Sequence, residues 1–113
     1  MKTIGITTKL TLATKDQRTD LKSFYKAIES NSYKNLTMEL EAAASGSLDL
    51  TLSDYVIVVG LESNMQLTLT NSEATPQSIM FSDVGFLSLN ASNLSSMVVL
   101  NSSSEKRSIE IYY

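Results

Sequence analysis

The side chains that could support catalysis in this chain are its carboxylates, serines and lysines, because the sequence contains no histidine and no cysteine. Without histidine, the Ser/His/Asp arrangement of hydrolases cannot form. A Ser–Lys pair is formally possible, but no lysine or arginine occurs between Asn35 and Ser104, and no serine lies in a nucleophile-elbow motif. Without cysteine, disulfides and thiolate metal sites are excluded. The sequence therefore gives no support for nucleophilic catalysis.

Paired carboxylates could instead cleave glycosidic bonds, and three acids flank the apolar segment 55–59, namely Asp49, Asp54 and Glu62. Asp49 falls on the polar side of a predicted strand and Asp54 in a turn, so solvated surface acids are the better interpretation. The acidic segments also lack the spacing of a calcium loop. We expect a protein that is not an enzyme and that needs no metal or cofactor.

Charge is distributed unevenly along the chain, although the net charge is only −3. Residues 1–34 carry seven basic and three acidic side chains, whereas residues 35–104 carry seven acidic side chains and no basic one. An acidic body opposes binding to phosphates, so we expect no nucleic-acid partner. The basic third could contact the acidic body of a neighbouring copy. Two solvated faces of a monomer are the simpler alternative.

The N-terminal residues alternate between apolar and polar, as in "TIGITTKLTL", and do not form the unbroken apolar run of a signal peptide. No stretch approaches the roughly 18 consecutive apolar residues of a membrane helix. We therefore expect a chain made in the cytoplasm without a secretion signal and without a membrane partner.

The elements that must position these side chains begin with a strand, because Ile4, Ile6, Leu10 and Leu12 alternate with polar residues. In the following segment the apolar residues lie at helical spacing: Leu21, Phe24, Tyr25 and Ile28. Thr19 is placed to cap the first turn. The spacing predicts one short α-helix over residues 20–30.

After residue 35, strand patterns recur at short intervals and are separated by turns rich in Gly, Asn and Ser. The predicted strands cover residues 36–43, 48–53, 55–60, 65–70, 77–82, 86–90, 96–101 and 107–113, with a tight turn at 83–85. Short turns favour antiparallel pairing, and eight short strands are typical of a β-sandwich or a jelly-roll-like barrel. We expect a single domain, with a strand and helix in residues 1–34 and a β body in residues 35–113.

The segment Tyr55–Val59 is apolar at every position, so both of its faces require burial. Such a strand belongs in the middle of a sheet, with one face against the opposing sheet. The predicted helix is the favoured cover for its other face, and a neighbouring subunit is the alternative.

In style, the segments "SLDLTLSDYVIVVGLESNMQLTLTNS" and "MVVLNSSSEKRSIEIYY" resemble small β-sandwich or jelly-roll structural proteins of tailed bacteriophage virions. The resemblance covers the C-terminal two-thirds of the chain and transfers no functional residues. It implies a virion component, such as a capsid decoration, head–tail or tail protein, that binds itself or other virion structural proteins.

We therefore expect a non-enzymatic assembly protein that forms a homo-oligomer and resides in the virion. A carbohydrate- or receptor-binding β-sandwich module is the alternative. Candidate interface residues lie at the C-terminal strand, where Tyr112 should point outward if Tyr113 points inward, and on the charged strand faces, at Lys9, Glu39 and Glu41.

Overall fold

The structure is a computed structural model that describes residues 2–31, 33–82 and 85–113. Within these residues the chain forms ten β-strands and no helix. It divides into two compact units, Met1–Asn31 and Ser32–Tyr113. The prediction of a mainly β, antiparallel fold is confirmed, whereas the predicted helix is absent.

The first unit is one long hairpin, which we call the arm. Strand β1 (Lys2–Ala13) pairs antiparallel with β2 (Arg18–Ser30) along its whole length, from Lys2 opposite Ser30 to Ala13 opposite Arg18. At the tip, the backbone N–H of Thr14 donates to the carbonyl of Gln17 at 2.7 Å. A bulge at Leu10/Thr11 interrupts the register near that tip.

The helix predicted over residues 20–30 is wrong, because this segment forms most of β2. A single short helix is only marginally stable in water, whereas pairing with β1 provides partners for the backbone groups of the segment. Phe24 and Ile28 lie on one face of the hairpin and Tyr25 on the other, and the bulge leaves Leu21 without a partner in the register. The helical spacing of these four residues is therefore coincidental.

The second unit, which we call the body, contains eight short strands. They are β3 (Asn35–Leu40), β4 (Ser45–Asp49), β5 (Tyr55–Val59), β6 (Met65–Asn71), β7 (Ser78–Ser82), β8 (Phe86–Asn90), β9 (Leu94–Asn101) and β10 (Arg107–Tyr112). They form two four-stranded sheets with the orders β3-β10-β5-β8 and β4-β9-β6-β7. All pairs are antiparallel.

The two sheets contribute alternate side chains to one hydrophobic core. From the first sheet come residues such as Val58 and Ile111, and from the second come residues such as Leu67 and Val99, all at most 1% exposed. Because the sheets share this core, each provides the apolar cover that the other requires.

The central strand predicted at Tyr55–Val59 is confirmed as β5, which lies between β10 and β8. Val56 and Val58 belong to the core, while Tyr55 and Ile57 on the other face are also buried. The predicted helical cover for this outer face does not exist. On that face, Tyr112 lies opposite Ile57 in the register, and its ring centroid lies 6.2 Å from that of Tyr33.

Several predicted strand boundaries differ from the structure, and the largest difference concerns β4. The strand predicted over 48–53 is found at Ser45–Asp49, because Asp49 Oδ1 accepts hydrogen bonds from the backbone N–H of Thr51 at 2.9 Å and from its hydroxyl at 2.7 Å. This Asx turn ends the strand, so Leu52 is 89% exposed. The tight turn predicted at 83–85 lies largely outside the described residues.

A buried asparagine closes one end of the body. The Asn101 side chain is fully buried, and its Nδ2 donates to the carbonyls of Leu40, Glu41 and Glu105 at 2.8 to 3.2 Å. Its Oδ1 accepts from the backbone N–H of Ser103 at 3.0 Å and from its hydroxyl at 2.6 Å. One side chain thus ties β9 to the end of β3 and to the β9–β10 turn.

We expect Val58→Asp to abolish cooperative folding, because it places an unpaired charge in the core at a cost above about 4 kcal/mol. Val98→Asp is the matched control, since Val98 is 37% exposed on the outer face of β9, and it should change the free energy of unfolding by at most about 1 kcal/mol. Urea unfolding followed by circular dichroism measures both. Cooperative unfolding of Val58→Asp at the wild-type midpoint would contradict the placement of β5.

We expect Asn101→Ala to lower the free energy of unfolding by about 3 kcal/mol, because several buried backbone groups lose their partner. Asn90→Ala is the control, since Asn90 is exposed and its Oδ1 accepts a hydrogen bond from the Ser92 N–H at 2.8 Å. That variant should lose about 1 kcal/mol. Chemical denaturation compares the two, and equal losses would show that the Asn101 network contributes nothing beyond an ordinary turn.

Candidate functional site

The carboxylates that sequence analysis considered for catalysis are engaged in local contacts. Asp49 accepts both hydrogen bonds from Thr51, and Glu62 forms an ion pair with Arg107. Among the described residues, no three acidic side chains converge as a metal site would require. No helix long and apolar enough to cross a membrane occurs in the same residues. The described residues include two clefts in the body and an exposed apolar face on the arm.

The first cleft has a volume of about 230 Å³ and lies beside the Asx turn. Lys34 and Tyr113 line it, and their backbones exchange two hydrogen bonds of 2.7 and 3.0 Å. The Lys34 ammonium lies 5.5 Å from the centroid of the Tyr113 ring. The backbone and side-chain hydrogen bonds from Thr51 lower the pKa of Asp49 in the same cleft. Lys34, Tyr113, Asp49 and Thr51 therefore all make contacts within the chain.

The second cleft has a volume of about 280 Å³ and lies between the edge strands β7 and β8. Leu69, Ile79, Phe81 and Leu89 give it an apolar lining. Ile79 lies opposite Leu69 in the register and so points to the core side of its sheet, yet it is 62% exposed. The two sheets are therefore open to solvent along this side of the body.

The arm has one apolar face. The register and the two-residue period place on it Ile4, Ile6, Leu10, Leu12, Phe24 and Ile28. Toward the tip these side chains are open to solvent: Leu10 is 49%, Leu12 54% and Phe24 46% exposed. On the opposite face Tyr25 lies across Gly5, where an added Cβ would come within 3.1 Å of the tyrosine hydroxyl. The apolar face therefore lacks a cover near the tip, and on the polar face the Tyr25 ring that covers Gly5 is itself 69% exposed.

Basic residues surround this apolar face. The described arm carries six basic and three acidic residues, a net charge of +3. Lys22 lies on the apolar face itself, with its ammonium 5.0 Å from the Phe24 ring centroid. Lys9, on the polar face, pairs with Asp20 at 3.0 Å. The exposed apolar patch is thus rimmed by cations, an arrangement that suits an acidic protein surface.

The five predicted interface residues lie in three places. Lys9 lies on the arm. Glu39 and Glu41 share Lys106, at 3.4 and 3.7 Å. The Tyr112 hydroxyl donates a hydrogen bond to Glu110 Oε2 at 2.8 Å, which raises the pKa of Tyr112. Tyr112 lies on the opposite face of the strand from Tyr113. A role for these residues in an interface stays a prediction.

Sequence reasoning missed the apolar surfaces described above. Phe24 was assigned to the apolar stripe of the predicted helix, and Ile79 and Met80 fell within the strand predicted over residues 77–82. A signal was present, because the run at 78–82, "SIMFS", contains no charged residue, whereas exposed edge strands usually carry one.

No protein-family model matches the chain, and neither a curated protein nor a solved structure matches it.

The Asx turn makes a pH-dependent prediction. Because the pKa of Asp49 is lowered from 3.8 in the folded chain, its carboxylate stabilises the fold above that pH, and this contribution is lost as the pH falls through the lowered pKa. Thr51→Val removes the hydroxyl donor and keeps the backbone N–H, so the pKa of Asp49 should rise part of the way back toward 3.8. Carbon-detected NMR titration of both proteins measures it, and identical titration midpoints would contradict the assigned contacts.

Proposed function

We propose that this protein is a non-enzymatic structural subunit that acts through protein–protein contacts, as a component of a virus particle. The observation that carries the proposal is the arm, a two-stranded ribbon whose apolar face is exposed near its tip. An isolated two-stranded hairpin is at best marginally stable in water. The arm takes up about a quarter of the 113 residues. We therefore expect contacts in a larger assembly to stabilise it.

The energetic gain from covering the arm is substantial. Complete burial of a leucine or phenylalanine side chain contributes about 1.5 to 3 kcal/mol, and Leu10, Leu12 and Phe24 are each roughly half exposed. Covering all three therefore contributes about 2 to 4 kcal/mol, before the remaining contacts of an interface are counted. Exposed apolar patches rimmed by polar residues are typical of protein interaction sites.

The strand order of the body supports a more specific proposal, namely that the body is a jelly roll. Its sheet orders, β3-β10-β5-β8 and β4-β9-β6-β7, are those of an eight-stranded double Greek key. This architecture occurs in viral capsid proteins and also in lectin domains. It therefore suits both the virion subunit and a carbohydrate-binding module, and other observations must distinguish them.

The arm and the first cleft favour the assembly function over carbohydrate binding. Sugar-binding sites commonly use an open aromatic face with polar groups around it. In the first cleft, the Lys34 ammonium lies over the Tyr113 ring, and Asp49 is held by Thr51. The arm, in contrast, presents apolar side chains without local cover. We accordingly place the protein in the virion, bound to itself or to other structural proteins, after synthesis in the host cytoplasm.

The test compares wild type with Leu10→Ser/Leu12→Ser. Wild type should associate beyond the 12.4 kDa monomer in sedimentation equilibrium and should co-sediment with particles. The double variant should associate about 30-fold more weakly, since it loses roughly 2 kcal/mol of apolar burial. Leu52→Ser, another highly exposed leucine, is the control and should behave as wild type. If wild type is monomeric, does not co-sediment with virus particles and binds glycans, the alternative function of carbohydrate binding would be established.

A further inference from the structure

Strand β7 (Ser78–Ser82) is an edge whose outer side is unprotected. It pairs with β6 on one side, and no strand of the described residues pairs with the other. Ile79 is 62% and Met80 60% exposed, so the edge is apolar on both faces. Natural edge strands are usually blocked by charges, prolines or bulges, because free N–H and C=O groups attract another strand. This edge carries none of those features within its five residues.

The edge lies beside the second cleft, where Ile79 and Phe81 of β7 face Leu89 of β8. A strand added at β7 would therefore satisfy free backbone groups and could also place an apolar side chain into the opening between the sheets. Such strand addition combines backbone hydrogen bonds for affinity with side-chain pockets for specificity. The cleft volume of about 280 Å³ is large enough for one aromatic side chain.

We propose that this edge receives β2 of the arm from a second copy of the chain, with Phe24 in the cleft between β7 and β8. The inference rests on the proposed assembly function and names the contact that would produce it. The outer side of β2 is itself an unpaired edge in the described residues. On the apolar face, Phe24 is flanked at two-residue spacing by Lys22 and Lys26, so an apolar anchor lies between two cations.

Charge selects a second copy as the occupant. The arm has a net charge of +3, whereas residues 35–104, which include β7 and β8, contain seven acidic residues and no basic one. A contact between two arms brings together like charges, and so does a contact between two β7 edges. Only the contact of an arm with a body joins opposite charges, which favours that pairing in rate and in specificity. This contact is head-to-tail and can therefore build a ring or a filament.

The experiment uses two full-length variants, Ile79→Lys in the edge and Phe24→Ser in the arm. Each variant alone should self-associate at least about tenfold more weakly than wild type, because each lacks one half of the contact. Thermal melts should show both variants folded, since Ile79 is 62% and Phe24 46% exposed. Leu52→Lys is the control for adding a lysine at an exposed apolar site, and it should assemble as wild type.

Mixing the two variants is the decisive step. The Phe24→Ser chain retains an intact edge and the Ile79→Lys chain an intact arm, so an equimolar mixture should form a 1:1 heterodimer in native mass spectrometry and grow no further. Raising the salt concentration should weaken the heterodimer.

If Ile79→Lys assembles like wild type, or if the mixture stays monomeric, the edge is not the receptor and the inference fails while assembly stands. A wild-type chain that is monomeric but co-sediments with particles has another protein as partner, which also overturns the inference. If wild type neither associates nor co-sediments, the proposed function fails as well.

Discussion

A two-stranded antiparallel ribbon cannot bury its own apolar face, and this constraint dominates the arm. The register between β1 and β2 puts Ile4 opposite Ile28 and aligns Leu10 and Phe24 on one side. A third strand or a second layer is needed to remove such a face from water. The other face carries the aromatic ring of Tyr25, which covers Gly5 and is itself 69% exposed. The continuous row of apolar side chains, and with it the greater requirement for another surface, lies on the apolar face.

The body meets the same requirement internally. Its two sheets point alternate side chains at each other, so Val58, Met97 and Ile111 are fully buried. Asn101 then satisfies the backbone groups that the chain exposes where β3 ends and where β9 turns into β10. A fully bonded buried amide fixes one geometry, since any shift leaves several polar groups without partners. Among the described residues, each sheet still has two edge strands, β3 and β8 in one and β4 and β7 in the other, and the apolar cleft described above lies on the side of β7 and β8.

The parts of this fold that follow from the sequence are those governed by local alternation. The strand at Tyr55–Val59 was predictable because a segment apolar on both faces has few other uses than the middle of a sheet. The segment 20–30 was not, because its local spacing suits a helix and its strand state depends on pairing with β1. The end of β4 at Asp49 depends on the two hydrogen bonds that its carboxylate accepts from Thr51, which compete with the alternation of Leu48, Leu50 and Leu52. The exposure of Phe24 and Ile79 follows from tertiary pairing; for Ile79 the one local signal is the absence of charge in residues 78–82, and the central strand at 55–59 shares that absence.

The separation of charge between arm and body explains how the chain can tolerate open edges. Unprotected strands normally risk indiscriminate pairing between copies. The net charges of the two units, negative for the body and positive for the arm, oppose the approach of one body to another and of one arm to another. Screening weakens such repulsion at distances beyond about 8 Å at physiological ionic strength, so it acts chiefly on chains that are already close to pairing. In the proposed contact, the charge pattern would favour the arm of a second copy as the partner of the edge, and the apolar side chains of the edge would supply most of the affinity.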